Sequence, residues 1–245
     1  MVESTSISSV PQKPQLDKYG YNSIARHVGL AIFICAPLFI GAGTLDWLWG
    51  WIYSVTTLLG WIGLSLVLVR ENPELLNQRG KRTKQMGVGT KRWDWVILGI
   101  YSVLLLLTPF VAGLDFRYGW SAPVSPLVNV TGIIVLVFSF ALLTWAMAVN
   151  RFFEGTVRIQ QARGQHPITT GPYRYVRHPG YVAVILQFIA VPLATGGMTA
   201  WIPAVLGILL FVVRTALEDR TLRQELPGYE AFTKQTRYRL LPGVW

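Results

Sequence analysis

One polar stretch of the chain combines residue types that bind small charged molecules. It reads G-P-Y-R-Y-V-R-H-P-G-Y, covers residues 171–181 and precedes a long apolar segment. Arginines bind anions, tyrosine rings accept cations on their faces, and a histidine donates or accepts hydrogen bonds. Pro179 fits the first position of a helix, where free backbone amides, helped by Arg177, can hold a carboxylate or a phosphate. The alternative interpretation is that these residues only anchor a helix at a membrane interface. That interpretation is sufficient to explain Arg174 and Tyr175.

A second polar cluster begins at Arg214. Arg214 and Glu218 are four positions apart and share one helical face, and Asp219, Arg220 and Arg223 follow. An unpaired carboxylate just beyond an apolar segment is costly, so we predict a cationic partner for Glu218. The local sequence leaves two interpretations open. An Arg214–Glu218 pair closes a helix end, or both groups belong to a site.

A short helical hairpin is predicted between the two clusters. Apolar windows at 180–196 and 199–215 flank an A-T-G-G-M turn, whose glycines permit a tight reversal. A hairpin of two helices returns its ends to the same side. We therefore expect the two polar clusters to be neighbours, which favours a site.

The remaining sequence places this hairpin in a membrane. The chain has 245 residues, of which 52% are hydrophobic and only 14% charged, too apolar for an ordinary soluble domain. About 20 apolar residues cross a bilayer. We predict an all-α, polytopic membrane helix bundle of about six segments, in which the first window is interrupted by proline and glycine and the last two are short. The windows lie at about 28–45, 47–69, 95–114, 126–149, 180–196 and 199–215.

Almost all basic residues lie on one side of the predicted membrane. With six crossings the two termini share one side, and only Arg117 of the 22 Lys and Arg residues falls in a connection on the other side. The positive-inside rule then predicts cytosolic termini, in a bacterial inner membrane or an equivalent bilayer. The net charge of +10 is explained by topology, which favours membrane lipids over nucleic acid as partners.

Three regions follow from this organisation. Residues 1–20 form a cytosolic tail, residues 21–125 hold N-terminal membrane helices with a basic cytosolic loop at 70–92, and residues 126–245 form the catalytic region. The loop contains N-P-E-L-L-N-Q-R-G-K-R, which could begin a short interfacial helix near Pro73. Basic cytosolic loops are common, and this favours a solvated loop at the lipid surface. The single cysteine excludes a disulfide within the chain, and we predict no metal site.

The order of the motifs resembles a known family. The chain contains, in order, N-R-F-F at 150–153, G-P-Y-R-Y-V-R-H-P-G-Y, R-T-A-L-E-D-R-T-L, L-P-G-Y and a final R-Y-R-L-L-P-G-V-W. This set is similar to the isoprenylcysteine carboxyl methyltransferase family and its phospholipid methyltransferase relatives. The resemblance covers about residues 145–245. It implies a helix bundle with a cytosol-facing pocket for S-adenosylmethionine. Glu218 and Asp219 stand where the family has paired glutamates, and the loop around Gln165 diverges.

Carried over by position, the resemblance also implies the site residues. The catalytic set is Arg214, facing the methyl acceptor, with Glu218 and His178. The cofactor pocket is formed by residues of the loop, of the first cluster and of the second cluster: Arg158, Gln165, His166, Pro167, Ile168, Tyr173, Arg177, His178, Pro179, Gly180, Tyr181 and Glu218.

These side chains suit S-adenosylmethionine, which carries a sulfonium, an ammonium and a carboxylate. Tyr173 and Tyr181 offer aromatic faces, Glu218 an acid and Arg177 donors. A carboxylate acceptor is ionised at pH 7 and needs no base, so Arg214 only orients it. An amine acceptor must lose a proton, which makes His178 or Glu218 a candidate base. We expect a lipid-like or prenylated acceptor that enters sideways between helices.

The sequence leaves two other classes of membrane protein open. Sterol reductases share an R-H-P-x-Y element and use NADPH, although the C-terminal motif and the short chain look closer to the small methyltransferases. A scaffold or permease is the third class. A transporter usually carries ionisable residues at mid-membrane, and the centres of these segments hold almost none.

Overall fold

The computed structural model describes residues 15–85 and 89–245, which form eight α-helices and three short 3₁₀ turns without any strand. The all-α prediction is therefore confirmed for the described residues. The predicted N-terminal tail lies outside them up to residue 14. The helices are α1 Lys18–Ala42, α2 Leu48–Glu71, α3 Pro73–Gln85, α4 Arg92–Tyr118, α5 Pro126–Val149, α6 Pro179–Thr195, α7 Trp201–Glu225 and α8 Tyr229–Gln235.

Five of these segments are long and apolar enough to cross a bilayer: α1, α2, α4, α5 and Met198–Glu225, which contains α7. Helix α6 is apolar but shorter. The polytopic bundle is confirmed, with five long segments and one short one. Helix α7 extends ten residues beyond the apolar window that ends at 215, because the second polar cluster continues the same helix.

The prediction of a solvated loop after α2 is wrong. Helix α3 starts at Pro73, and the side chain of Asn72 accepts a hydrogen bond from the Leu75 amide at 3.2 Å while it donates to the Met147 carbonyl at 2.9 Å. Leu75 and Leu76 are fully buried, in one cluster with residues of α2 and α5. Burial of two adjacent leucines favours the helix more than the surrounding basic residues favour solvation.

Close helix contacts fix the bundle at two places. A Cβ atom on Gly113 of α4 would lie 2.0 Å from the Leu38 carbonyl oxygen of α1. One on Gly132 of α5 would lie 2.1 Å from the Ala194 amide nitrogen of α6. Small residues permit such approaches between membrane helices. Helices α4 and α6, which border the site described below, are thereby held against their neighbours.

The predicted hairpin is confirmed. Helix α6 ends at Gly196, whose φ of 78° is the left-handed conformation that glycine adopts without strain, and α7 starts five residues later at Trp201. The carboxylate of Asp115, at the end of α4, accepts hydrogen bonds from the Thr199 amide at 2.8 Å and the Thr199 hydroxyl at 2.6 Å. The turn is thus attached to α4 at the end of the bundle opposite the polar clusters.

Candidate active site

The hairpin brings the two polar clusters into direct contact, as predicted. Arg177 donates from Nε and Nη2 to the two carboxylate oxygens of Asp219, at 2.7 and 3.1 Å. The hydroxyl of Tyr181 donates to Glu218. Among the described residues Glu218 forms no ion pair, so the predicted cationic partner is not in direct contact with it. The Arg214–Glu218 pair is also not formed, because Arg214 binds a carboxylate of α4.

All residues predicted to bind the cofactor line one polar cleft. The cleft encloses about 810 Å³, including space open to solvent, between the loop at 150–178, the start of α6, the end of α7 and α8. The structure therefore brings together residues that are up to 60 positions apart in sequence, from Arg158 to Glu218. Further lining residues that were not predicted to bind the cofactor are Asn150, Phe152, Phe153, Glu154, Thr156, Val157, Gln160, Leu222, Leu226, Tyr229 and Phe232.

The outer wall of this cleft is the loop between α5 and α6. Arg158 donates from Nε and Nη2 to the two oxygens of Glu154, at 2.6 and 2.7 Å, and these bonds raise the pKa of Arg158. The side chain of Gln165 accepts from the Gln160 amide at 2.6 Å. The exposed ring of His166 meets Phe152 edge to face, with centroids 5.2 Å apart. Arg158, Gln165 and His166 are thus held by the loop itself.

Tyr173 lies deeper in the cleft. Its ring is 7% exposed, its hydroxyl accepts from Asn150 Nδ2 at 2.9 Å, and its carbonyl accepts from the Thr236 hydroxyl at 3.0 Å. Burial raises the pKa of Tyr173 well above its ordinary value, so the phenol stays neutral. Asn150, the first residue of the N-R-F-F motif, therefore orients a cleft tyrosine.

Asp219 is the centre of a buried network behind the cleft. Its carboxylate accepts from Arg177, from Arg239 Nε at 3.0 Å and from the Tyr229 hydroxyl at 3.0 Å. Arg223 Nε lies 3.3 Å away. Burial, followed by the charge of Asp219, raises the pKa of Tyr229. Helix α7, helix α8 and the C-terminal segment are joined through this one carboxylate.

The same network limits what the start of α6 can bind. Arg177 Nη1 donates to the carbonyls of Thr236 and Arg237, at 2.8 and 2.6 Å. The backbone amides of residues 177 and 178 donate to the carbonyls of residues 238 and 239, at 2.9 and 3.0 Å. Arg177 and these two amides are thus already bonded within the protein. Arg177 is therefore not available to help the amides of the first turn of α6 hold an anion.

His178 connects this network to the cleft surface. Its Nε2 lies 3.4 Å from both Asp219 Oδ1 and the Tyr229 hydroxyl. Its ring stacks on Tyr181, with centroids 5.5 Å apart and planes within 5°. Tyr181 is therefore held on one side by His178 and at its hydroxyl by Glu218.

Arg214 lies beyond Tyr181, on a second cavity. Its Nε and Nη2 bind the carboxylate of Asp94 at 2.9 and 3.2 Å, and Nη2 also donates to the Gly155 carbonyl at 2.8 Å. The guanidinium carbon lies 5.1 Å from the centre of the Tyr181 ring. This cavity of about 1450 Å³, including open space, extends between α1, α4, α5, α6 and α7 and is lined mainly by apolar side chains.

The polar cleft and the apolar cavity share one wall. Phe153, Glu154, Gly180 and Tyr181 line both. A Cβ atom on Gly180 would lie 2.6 Å from the Phe153 ring, so any larger residue there displaces the wall. A polar molecule in the cleft and an apolar one in the cavity therefore meet across a thin partition, next to the Arg214 guanidinium.

The residue that positions Arg214 was not identified from the sequence. Asp94 is fully buried at the start of α4, and its Oδ2 also accepts from the Val157 amide at 2.7 Å. A lone acid in W-D-W at the edge of an apolar segment does signal a partner. Only the folded structure shows that this partner is 120 positions away.

Fold and site define a polytopic, all-helical membrane protein with a polar cleft that adjoins an apolar cavity between its helices. Residues 132–224 match the family model described as the isoprenylcysteine carboxyl methyltransferase (ICMT) family. This match supports the family that the motifs predict, and residues 132–224 are similar to a membrane methyltransferase of the isoprenylcysteine type. The matched region includes most of α5, the cleft loop, α6 and nearly all of α7. No curated protein matches the chain.

Proposed function

We propose that this protein transfers a methyl group from S-adenosylmethionine, held in the polar cleft, to a nucleophile on a lipid-like or prenylated acceptor in the apolar cavity. The observation that carries this proposal is the shared wall at Tyr181 and Gly180. It lies where a site for a polar donor adjoins a site for an apolar acceptor. Of the three predicted catalytic residues, Arg214 orients the acceptor in this proposal, Glu218 binds the donor, and His178 holds the ring of Tyr181 in the shared wall.

The side chains that line the cleft fit the proposed donor in chemistry. Tyr173 and Tyr181 present rings for a sulfonium, and Glu218 presents a carboxylate for an ammonium. Because Arg177 is bonded within the protein, we assign the donor's carboxylate to Arg158, whose Nη1 is not used by Glu154.

Arg214 favours a carboxylate as the methylated group. S-adenosylmethionine supplies an electrophilic methyl group, and an ionised carboxylate attacks it in line without a general base. Asp94 takes Nε and Nη2 of Arg214, which leaves Nη1 to orient the acceptor. His178 lines the cleft and not the cavity, which makes it a poor base for an amine held beside Arg214.

Binding of the donor is the first test. We expect S-adenosylmethionine to bind the detergent-purified protein in calorimetry and to raise its unfolding temperature, while NADPH does neither. Glu218→Gln should weaken binding by about tenfold, because it removes the charge opposite the ammonium. Glu230→Gln removes an exposed acid outside the cleft and should have no effect. Stabilisation by NADPH alone would identify a reductase instead.

The acceptor is tested by a radiolabel assay. Purified protein and labelled S-adenosylmethionine are incubated with total membrane lipids and proteins, and we expect the label in a lipid-soluble product. A methyl ester loses its label in mild base, whereas a methylated amine keeps it. Base-stable label would overturn the assignment of a carboxylate acceptor.

We further propose that the cleft end of the bundle faces the cytosol, since the basic residues collect there. Single cysteines at Thr169, at the cleft end, and at Ala122, at the opposite end, are both exposed positions. In intact cells an impermeant maleimide should label Ala122→Cys and spare Thr169→Cys. The reverse pattern would contradict this orientation.

A further inference from the structure

One buried polar group of the membrane helices has no partner in the described part of the chain. The Nε2 atom of Gln187, in the middle of α6, is buried and makes no hydrogen bond. Buried side-chain donors are normally bonded, and polar groups inside a membrane protein are usually functional. Gln187 therefore calls for an explanation by function.

Gln187 lies where two cavities meet. It lines the apolar cavity beside Arg214 and also a second cavity of about 430 Å³, including open space, deeper in the bundle. Four other residues line both: Ile34, Trp61, Leu105 and Val184. The two cavities therefore adjoin one another and are together called the path below; its lining on α6 extends from Gly180 to Val191.

The two threonines of the deep cavity do not compete with Gln187. The hydroxyls of Thr57 and Thr108 donate to the carbonyls of Tyr53 and Leu104 within their own helices, at 2.9 and 2.7 Å. The Nε2–H group of Gln187 is thus available to donate a hydrogen bond to a molecule bound in the path. Seven residues of helix separate it from Gly180, a distance of roughly 10 Å.

We propose that Gln187 is a specificity residue for the tail of the methyl acceptor, and that this tail carries a carbonyl or ether oxygen about 10 Å from the methylated atom. Such an oxygen accepts the Nε2–H of Gln187. At about 3.5 Å per three extended bonds, it lies roughly eight or nine bonds along the tail. The inference rests on the proposed function and narrows its acceptor to an oxygen-bearing lipid, because an all-hydrocarbon isoprenoid tail leaves Gln187 unpaired.

The test uses two synthetic carboxylate acceptors of equal length, one with an ether oxygen at about the ninth position and one with a methylene there. We expect the full-length protein in nanodiscs to prefer the ether acceptor by about five- to tenfold in kcat/KM, mainly through KM. Gln187→Met, similar in shape but apolar, should abolish this preference. It should not lower the unfolding temperature, because the substitution removes an unpaired buried donor.

Two controls make the outcomes distinct. Ser139→Ala removes a buried hydroxyl that bonds within α5 and lines neither cavity, and it should leave the preference unchanged. Gln187→Leu repeats the test if Gln187→Met folds poorly. Equal use of the two acceptors by the unmodified protein, or a preference that survives in both Gln187 variants, overturns the inference while methyl transfer stands. Absence of donor binding and of transfer overturns both proposals.

Discussion

Two buried arginine–aspartate pairs of similar geometry contribute differently to this protein. Arg177–Asp219 and Arg214–Asp94 are both paired through Nε and Nη2, and both arginines are 4% exposed. Arg177 uses its remaining nitrogen on two backbone carbonyls, and its aspartate also accepts from Tyr229 and Arg239, among other partners. Arg214 borders the apolar cavity with Nη1 unused by Asp94. The geometry of an arginine–aspartate pair therefore does not indicate its role in the protein. The role depends on the groups that surround the pair.

The largest effect is expected from Asp219→Asn. Removing the charge leaves Arg177 buried without its partner, and breaking a buried pair costs about 3–5 kcal/mol. The free energy of unfolding in detergent should fall by that amount, and donor binding should be lost with the wall of the cleft. Arg223→Gln, which removes a more exposed partner of Asp219, should cost less than about 1 kcal/mol. Equal effects of the two variants would contradict a central role for this network.

Arg214→Lys tests the other pair. Lysine keeps the positive charge opposite Asp94, so the fold should be preserved. It lacks the planar guanidinium, which can bind Asp94 and a second carboxylate at the same time. We expect kcat/KM for methyl transfer to fall by about 100-fold, because a misplaced acceptor loses the in-line geometry. Calorimetry should show donor affinity within about twofold of the unmodified protein. A loss of donor affinity equal to the loss of turnover would place Arg214 in the cleft.

Asp94→Asn tests whether this acid acts through Arg214. We expect a loss of turnover of about tenfold, as for other residues that orient a ligand-binding side chain. Combined with Arg214→Lys, the effects should be less than additive, because both disturb one guanidinium. Asp46→Asn, an exposed acid at the opposite end of the bundle, is the matched control. Full additivity would assign Asp94 a purely structural role.

Tyr181→Phe affects the shared wall without removing it. The ring and its stacking on His178 stay, whereas the hydroxyl bond to Glu218 is lost. A hydrogen bond to a charged group contributes about 1.5 kcal/mol or more, so donor affinity should fall by about tenfold. Tyr175→Phe alters an exposed tyrosine outside the cleft and should leave donor affinity unchanged.

The smallest effect is expected at an exposed pair. Arg163 Nη2 binds Glu74 of α3 at 2.9 Å, and the Glu74 side chain is 38% exposed. Glu74→Gln should change the free energy of unfolding by less than about 1 kcal/mol. If Glu74→Gln lowered the free energy of unfolding as much as Asp219→Asn does, burial would not explain why the two ion pairs differ in their contribution to stability.

The sequence predicted the bundle and the set of residues around the cleft. Long apolar windows and the G-G turn have strong local signals, and the motifs of the family carry the positions from Arg158 to Glu218. The helical state of residues 73–85 was missed because Leu75 and Leu76 are ordinary in sequence and distinctive only once they are buried.

The sequence predicted which residues line the cleft better than it predicted which groups these residues bind. Arg177 was expected to be available for an anion, but the carbonyls that occupy it come from the C-terminal segment, about 60 positions later. The partner of Arg214 lies in α4, and the sequence between them holds no signal of that contact. Such contacts depend on how the helices are arranged, which local patterns do not encode.

The attachment of the cleft loop has a consequence for protein engineering. Asp94 holds the Val157 amide, Lys91 contributes its amide to the Val157 carbonyl at 3.1 Å, and Glu74 holds Arg163. All three anchors belong to the first half of the chain, outside the region that matches the family. A chimera that joins residues 126–245 to foreign helices would retain every motif and lose these anchors. Recombination between relatives should therefore exchange α3, the start of α4 and the loop as a single block.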